Sequence, residues 1–452
     1  MQLNMPVKLE EIVSDIKNIG GQSMLVGGAV IDTLQGNPIK DFDVEVYGLS
    51  LQKLGEVLEK HGKSSLVGQE FGIIKLRTDS FEYDFSVPRL ENKVGLGHKD
   101  FEVEFQLSSG ITPLEAAKRR DLTINSMFFD LDKKELTDPY NGQADLKNGV
   151  LRHTSNQFSD DPLRVLRIMQ LLPRKGKTVY PETIELCKSM KDDYQYLAKE
   201  RVFEEWDKLL LKSDNPSLGL QFLVDCDWIT HYPELDKLRY TDQNLGWHPE
   251  GNVWNHNQLV IDNAAKLRHN LPDSWKSAYM FGCLLHDVGK PSTTLEDLTA
   301  HGHDEAGFEP ARAFMKRITS DKKLISRAAD LVKYHMRPGN HKRQGAGEKA
   351  WRRLHNKVPL NVIAYVSKAD GCGRPGKNLE DVHETSNRAL ELFESYGPDP
   401  IPQVLMGRDL IQQGYVPGPI FGEMLKNAYD IQIDEGIDDK QELLTRIKEL
   451  YE

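Results

Sequence analysis

The sequence predicts an α/β head followed by a long all-α body, and three observations carry that expectation. In residues 1–150, short segments with the two-residue period of strands alternate with segments apolar at helical spacing. From about Asp160 onward, one helical pattern follows another. At about 100–200 residues per domain, 452 residues make two to four domains, and 39% hydrophobic with 28% charged content suits folded cores over disorder.

The elements read in order as follows. Leu9 to Ile19 is apolar at helical spacing, and Ser23–Val26 is a short apolar strand broken by Gly27-Gly28. Ala29–Leu34 is helical, Asp43–Tyr47 alternates like a half-buried strand, and Leu51–His61 is helical again. Phe71–Leu76 and Phe81–Phe85 are further strands, while Pro88 to Asp100, charged, aperiodic and Gly-containing, reads as a mobile loop. The run DDPLRVLRIMQLL opens the helical body, with Pro162 in the first turn and two carboxylates near the positive end of the helix dipole. Asn215-Pro216-Ser217 and His231-Tyr232-Pro233 are loop punctuation before a second helical block from about residue 245 to 370. Gly397-Pro398-Asp399-Pro400 and the stretch Gly414–Gly422 set off a short acidic tail.

Composition narrows the function classes. No apolar run approaches the ~18–20 residues of a membrane span, and the opening residues lack the layout of a signal peptide. Four scattered cysteines form no CxxC pair, so a reducing compartment, the cytoplasm, is expected. The formal net charge of −11 excludes a uniformly basic protein. Residues 310–377 nevertheless hold 17 Lys and Arg against 4 Asp and Glu, a local +13 suited to a solvated helical face, an RNA backbone or phosphate attraction.

Two constellations carry chemistry. In the head, Gly27-Gly28 after a strand lets backbone approach a triphosphate, and Asp41 and Asp43, two residues apart on a strand, can share one or two Mg²⁺ ions. Taken alone, such an Asp pair is more often plain surface. In the body, His286-Asp287 closes an apolar helix, with His256 upstream and His303, His335 and Asp370 downstream. Imidazole with carboxylate suits Mn, Fe, Co, Ni or Zn better than Mg or Ca.

Leu25-Val26-Gly27-Gly28 followed by Asp41-Phe42-Asp43 resembles the signature of the DNA polymerase beta–like nucleotidyltransferases. Arg119 to Ser126 is similar to the ribose-reading motif of the class II CCA-adding tRNA nucleotidyltransferases, and Asp138 to Gly142 with Asp145-Leu146 to their hinge motif. Asp160 to Arg167 resembles their base-reading motif, and Glu200 to Phe203 with Glu205 their neck-helix motif. The resemblance implies an α/β nucleotidyltransferase head at 1–150, an all-α neck binding base and RNA at 151–235, an all-α HD phosphohydrolase domain at 236–395, and an acidic tail at 396–452. It implies catalysis by Asp41 and Asp43 with Mg²⁺, and nucleotide binding by Gly27, Gly28, Arg120, Asp121, Asp161, Arg164 and Arg167. Asp161 and Arg164, three apart on one helical face, would present a base-like edge to CTP or ATP.

The histidine series resembles the HD superfamily pattern, which implies His256, His286, Asp287 and Asp370 as ligands of a first transition metal, with His303 and His335 available for a second. Two departures from the family pattern stand out. Ile31 occupies the place of an Arg expected near the triphosphate, and Asp160 that of a Glu. The function implied is addition or repair of the 3′-terminal CCA of tRNA from CTP and ATP, with hydrolysis of phosphoesters such as 2′,3′-cyclic phosphates by the HD domain. The alternatives are a bacterial poly(A) polymerase, an enzyme adding only CC or only A, and a tRNA-binding protein with an inactive head.

Overall fold

The computed structural model describes residues 5–39, 41–67, 72–78, 81–88, 90–93, 101–104 and 111–451. The chain divides into two compact units, one of Met1–Trp206 with Leu218–Trp228, the other of Asp207–Ser217 with Ile229–Glu452.

The first unit is built on a seven-stranded mixed sheet. Its strands are β1 (Gln22–Val26), β2 (Phe42–Tyr47), β3 (Lys63–Val67), β4 (Ile73–Arg77), β5 (Glu82–Ser86), β8 (Phe128–Asp130) and β9 (Glu135–Thr137), in the order β3-β4-β5-β2-β1-β8-β9. The remaining two head strands, β6 (Leu90–Lys93) and β7 (Phe101–Glu104), pair antiparallel with each other. Part of the expected 88–100 loop is therefore a hairpin arm, and Arg89 and residues 94–100 lie outside the described residues, as does Phe71.

Alternation along β2 divides the sheet into two faces. Phe42, Val44 and Val46 are buried on the side of Leu25, Tyr83 and Phe85. On the opposite face Met24, Val26, Tyr47, Ala117 and Phe128 form a small apolar cluster, leaving Asp43 and Glu45 beside it on the same strand face as Tyr47. The expected helices appear at Val7–Asn18, Gly28–Gln35 and Leu51–Leu58, the last ending three residues early.

After the sheet, the helix Leu163–Lys175 buries Val165, Leu166, Ile168 and Met169, and Asp161 lies in extended backbone before it. Asp161 and Arg164 are therefore not both on one helical face as the sequence suggested. Pro162 immediately precedes the helix, and the Asp161 carboxylate instead accepts from the Leu163 N–H at 3.0 Å.

The second unit is all-helical. Helices Val253–Leu267, Asp273–Leu285, Lys322–Tyr334 and Leu360–Cys372 bury nearly continuous apolar stretches, including Tyr279–Leu285. The acidic tail is folded too. Helices Gly407–Gln412, Pro419–Glu435 and Lys440–Tyr451 close on Leu410, Met424, Ala428, Leu443 and Ile447.

One backbone approach sets the geometry of this unit's polar centre. A Cβ on Gly289 would stand 2.0 Å from the His303 carbonyl oxygen and 2.7 Å from the Gly307 nitrogen. Only glycine lets the turn after Asp287 touch the segment bearing His303. Gly289→Ala is expected to lower stability by about 2–4 kcal/mol through forced separation of these segments. Chemical denaturation of the full chain measures this, and an unchanged midpoint contradicts it.

Candidate active sites

In the head, strand register assembles the candidate site. Asp43 lies directly across from Val26 on β1, the residue preceding Gly27-Gly28, and across from Asp84 on the parallel neighbour β5. Gly27 has φ +65°, and a Cβ there would sit 3.4 Å from the Asp43 carboxylate. Its positive φ is what calls for glycine here, since a Cβ at that distance would be in ordinary contact. Asp41 is exposed at the entry to β2. Asp84, which the sequence offers equally as a third metal carboxylate or an ordinary strand residue, is the third acid of the group, with one carboxylate oxygen 3.4 Å from the Lys75 ammonium.

Burial lifts the Asp43 carboxyl to about 6, helped by the charges of Asp84, Asp41 and Glu45 and opposed by Arg120. Converging acids left this short of cationic partners fit a divalent cation. Arg120 stays on this face because its guanidinium meets Glu45 at 2.8 Å, and Glu45 in turn accepts the Tyr47 hydroxyl at 2.7 Å.

The other predicted nucleotide-binding residues form a fixed frame. The Arg167 Nε donates to Asp121 Oδ2 at 2.8 Å, and Asn125 and the Leu122 N–H donate to Oδ1. Burial opposes ionisation of Asp121, but Arg167 and Asn125 outweigh it and hold the carboxyl at about 2. Asp161 accepts from Arg201 at 2.9 Å. Arg164 donates to the carbonyls of Gln157 and Arg119 at 2.6 and 2.7 Å. Each of the pair is thus oriented by its own partner, not spent on a mutual surface ion pair. Ile31 is buried in the core, so its side chain offers nothing to a triphosphate, and its neighbour Asp32 is paired with Lys175 at 2.7 Å. The hinge-motif acids act as staples. Asp138 accepts the Gly142 and Gln143 N–H groups, and Asp145 joins Thr123 to Arg152.

In the second unit the structure brings all the predicted metal-binding residues together. His286, His303 and His335 each place Nδ1 2.6–2.8 Å from the carbonyl three residues back, of Cys283, Ala300 and Val332. That shared geometry fixes the tautomer and aims Nε2 of all three inward. His286 Nε2 lies 3.1 Å and His303 Nε2 3.3 Å from opposite oxygens of Asp287, and His303 and His335 Nε2 are 3.3 Å apart. His256 Nε2 meets Asp370 at 3.0 Å, and Asn257 ties the same helix to the Leu284 carbonyl. Two overlapping donor sets result, His256-His286-Asp287 and Asp287-His303-His335, sharing Asp287. The buried His286 Nε2 makes no hydrogen bond of good geometry, as expected for a lone pair kept for a metal.

Burial alone would raise the Asp287 carboxyl, but His286 and Lys290 hold it well below the usual range. Burial, then the neighbouring imidazoles His303 and His286, pushes His335 down to about 3, leaving it neutral and able to bind metal. Two residues missed in the sequence support the set. The buried Glu250 carboxylate oxygen lies 2.8 Å from Nδ1 of both His256 and His248, and Arg374 grips Asp370 at 2.8 Å. His248, read from the sequence as a loop residue, stands with its ring 4.9 Å from that of His256.

A cavity of about 860 Å³ opens on this centre, lined by His303, His335 and five cations: Lys290, Lys342, Arg343, Arg374 and Lys377. Three of the five are themselves paired, Lys290 with Asp287, Lys342 with Asp381 and Glu384, and Arg374 with Asp370, and other cations of the positive stretch are paired too. Arg317 binds Glu234, Lys333 binds Glu305, and Lys349 and Arg353 bind Asp434.

Three family models match the chain: Poly A polymerase head domain over residues 23–152, probable RNA and SrmB-binding site of polymerase A over residues 178–238, and HD domain over residues 253–374. The chain is 37% identical over 317 residues to the multifunctional CCA protein of Pseudomonas fluorescens, covering 69% of this chain and 73% of that protein. It is 33% identical over 391 residues to the multifunctional CCA protein of Laribacter hongkongensis, covering 86% and 89%. Its fold is similar to the Bacillus stearothermophilus CCA-adding enzyme in complex with CTP, with a TM-score of 0.67 at 17% identity over 99% of each chain. It is also similar to the Thermotoga maritima CCA-adding enzyme complexed with tRNA, with a TM-score of 0.58 at 19% identity over 99% and 97%.

Two outcomes follow from these geometries. With its folded pKa raised to about 6, Asp43 contributes stability below pH ~4 that is lost as pH rises through ~6. Asp43→Asn is therefore expected to stabilise the metal-free chain by about 2 kcal/mol at pH ~8 and little at pH ~4, screening discounted. Thermal melts in chelator at both pH values measure this, and destabilisation at pH ~8 contradicts it. Glu250→Gln is expected to weaken transition-metal binding about 10- to 100-fold in calorimetric titration, because the acceptor orienting His256 loses its negative charge. Unchanged affinity would show that Glu250 has no such role.

Proposed function

We propose, because the chain belongs to the bacterial multifunctional CCA protein family of CCA-adding nucleotidyltransferases with an HD domain, that it builds or repairs the 3′-terminal CCA of tRNA from CTP and ATP. The observation that carries this reading is the register placing Asp43 between the Gly27-Gly28 turn and Asp84. Asp41 and Asp43, with Asp84, would hold Mg²⁺, which when bound neutralises triphosphate charge and favours the attacking 3′ oxygen. Gly27 and Gly28 leave room for phosphate oxygens, and the N–H groups opening the helix Gly28–Gln35 face the same end of the sheet. Arg120, held by Glu45, supplies positive charge on the Asp43 face. Asp121 and Arg167 position the nucleotide, and Asp161 and Arg164 read its base, each already oriented by a neighbour. Residues 151–235 serve as the neck that carries these groups, and 1–150 as the head.

The HD domain, residues 236–395, is a metal-dependent phosphohydrolase in this reading. His256, His286, Asp287 and Asp370 would hold a first transition metal, with His303 and His335 beside Asp287 for a second. Such a metal supplies an activated water for attack on phosphorus. The cationic cavity suits phosphoesters, including 2′,3′-cyclic phosphates, and clearing one from a damaged RNA end would free the hydroxyl that the head extends. Among the described residues no helix is long and apolar enough to cross a membrane, and a cytoplasmic site of action fits a tRNA substrate.

The test supplies the protein with Mg²⁺, CTP and ATP on tRNA lacking CCA and sequences the added nucleotides. Ordered addition of C, C and A is expected. A long A tract would support the poly(A) polymerase reading instead, and CC or A alone would narrow the activity. Asp41→Ala is expected to lower addition by at least ~100-fold while tRNA affinity stays within about two-fold, as for a metal ligand acting in the transition state. Retained addition contradicts the role of Asp41.

A further inference from the structure

Trp247 is the most exposed aromatic side chain among the described residues, 78% accessible, and it lines the cavity over the HD centre. Its backbone is fixed despite that exposure. The Trp247 and His248 N–H groups both bond to the Asn244 carbonyl, at 3.0 and 2.8 Å, and the Gly246 N–H bonds to the Asn244 side chain. The next residue, His248, is clamped by Glu250, which also holds His256. An indole on a pinned turn, one residue from the histidine carboxylate relay, is a pre-positioned surface and not a loose side chain.

The cavity has two chemical halves. Five cations face three lining acids, Asp242, Asp370 and Asp381. Lys290, Lys342 and Arg374 are paired with Asp287, Asp381 and Asp370, so among the described residues Arg343 and Lys377 are the cations left to attract an anion. Trp247, with the exposed Leu245 and Leu298, gives the lining an apolar part. At about 860 Å³ the space falls in the ~300–1,000 Å³ range filled by whole small-molecule ligands, far more than a bare phosphate needs. Phosphate attraction, a flat aromatic surface and this volume describe one ligand class.

We propose that Trp247 is the platform on which the base of a nucleoside phosphoester stacks while its phosphate lies among the cavity cations. The proposal rests on the phosphohydrolase reading of the same centre. Trp247 is here a specificity residue, with no part in the bond-breaking chemistry. Every base has a π-face, so the platform selects nucleosides over other phosphoesters without selecting sequence. The ligand can arrive as a free nucleotide or as the 3′ end of an RNA.

The experiment uses the full chain loaded with Mn²⁺ and three substrates: adenosine 3′-monophosphate, a short RNA with a 3′-phosphate, and base-free glycerol 2-phosphate. Trp247→Ala is expected to raise KM about ten-fold or more for the base-bearing substrates, with kcat within two-fold. Trp247→Phe should recover most of that loss, and glycerol 2-phosphate should be unaffected. A shift for both adenosine substrates supports stacking of a free nucleotide or an RNA end, and a shift for the RNA alone assigns the platform to RNA ends. No shift, or an equal shift for glycerol 2-phosphate, overturns the proposal. If the wild type hydrolyses none of the three, the phosphohydrolase reading fails, and calorimetric binding of adenosine 3′-monophosphate decides the platform. Wild type and Trp247→Ala share the same head, so unchanged affinity between them overturns it and a loss of about ten-fold supports it.

Discussion

Each half of this chain is arranged around a carboxylate withdrawn from water, Asp43 in part and Asp287 wholly, and the two halves meet the cost differently. Burying an ionised carboxylate is unfavourable unless hydrogen bonds or opposite charge replace its hydration. In the second unit Asp287 has that replacement. Lys290 lies 2.7 Å away and imidazoles approach both oxygens, so the group stays ionised without metal. In the head the replacement is incomplete. Asp43 faces Asp84, Asp41 and Glu45 with Arg120 as counter-charge, and its carboxyl rises to about 6. A bound cation would satisfy a deficit that the protein itself leaves open.

The surrounding architecture follows from holding those groups in place. In the head, β1, β2 and β5 must lie side by side, because the register Val26–Asp43–Asp84 places the glycine turn and the third acid next to the second. The apolar cluster of Met24, Val26, Tyr47, Ala117 and Phe128 removes water from that face and so strengthens its electrostatics. In the second unit four helices and the Gly289 contact converge on Asp287, and backbone carbonyls set the imidazole tautomers. Sheet register performs in one unit what helix ends and a missing Cβ perform in the other.

What could be read from the sequence was what depends on local spacing. Gly27-Gly28 and Asp41 to Asp43 were legible because a strand, a turn and an alternating strand announce themselves within a few residues. His286-Asp287 was legible at the end of an apolar helix. Asp84 stayed open between a third metal carboxylate and an ordinary strand residue, because its place beside Asp43 comes from a parallel pairing between strands some forty residues apart, which alternation cannot report. Asp161 was misplaced: the helix starts at Leu163, after Pro162, and Asp161 lies in extended backbone, turning an expected i,i+3 pair into two separately anchored groups. Glu250 carried no signal of its own, and only the fold brings it between His248 and His256. Several cations of the +13 stretch are paired with acids elsewhere in the sequence, from Glu234 to Asp434, pairings that local composition cannot report.

The central proposal is that the chain carries two separate cation-binding centres, one organised by the half-buried Asp43 and one by the buried Asp287. Equilibrium Mn²⁺ binding to the full chain, to Asp43→Asn and to Asp287→Asn tests it directly. The wild type should show two classes of site, with Asp43→Asn losing one, Asp287→Asn losing the other, and each variant keeping the partner class at unchanged affinity. A single class in the wild type, or loss of both classes in either folded variant, would contradict it.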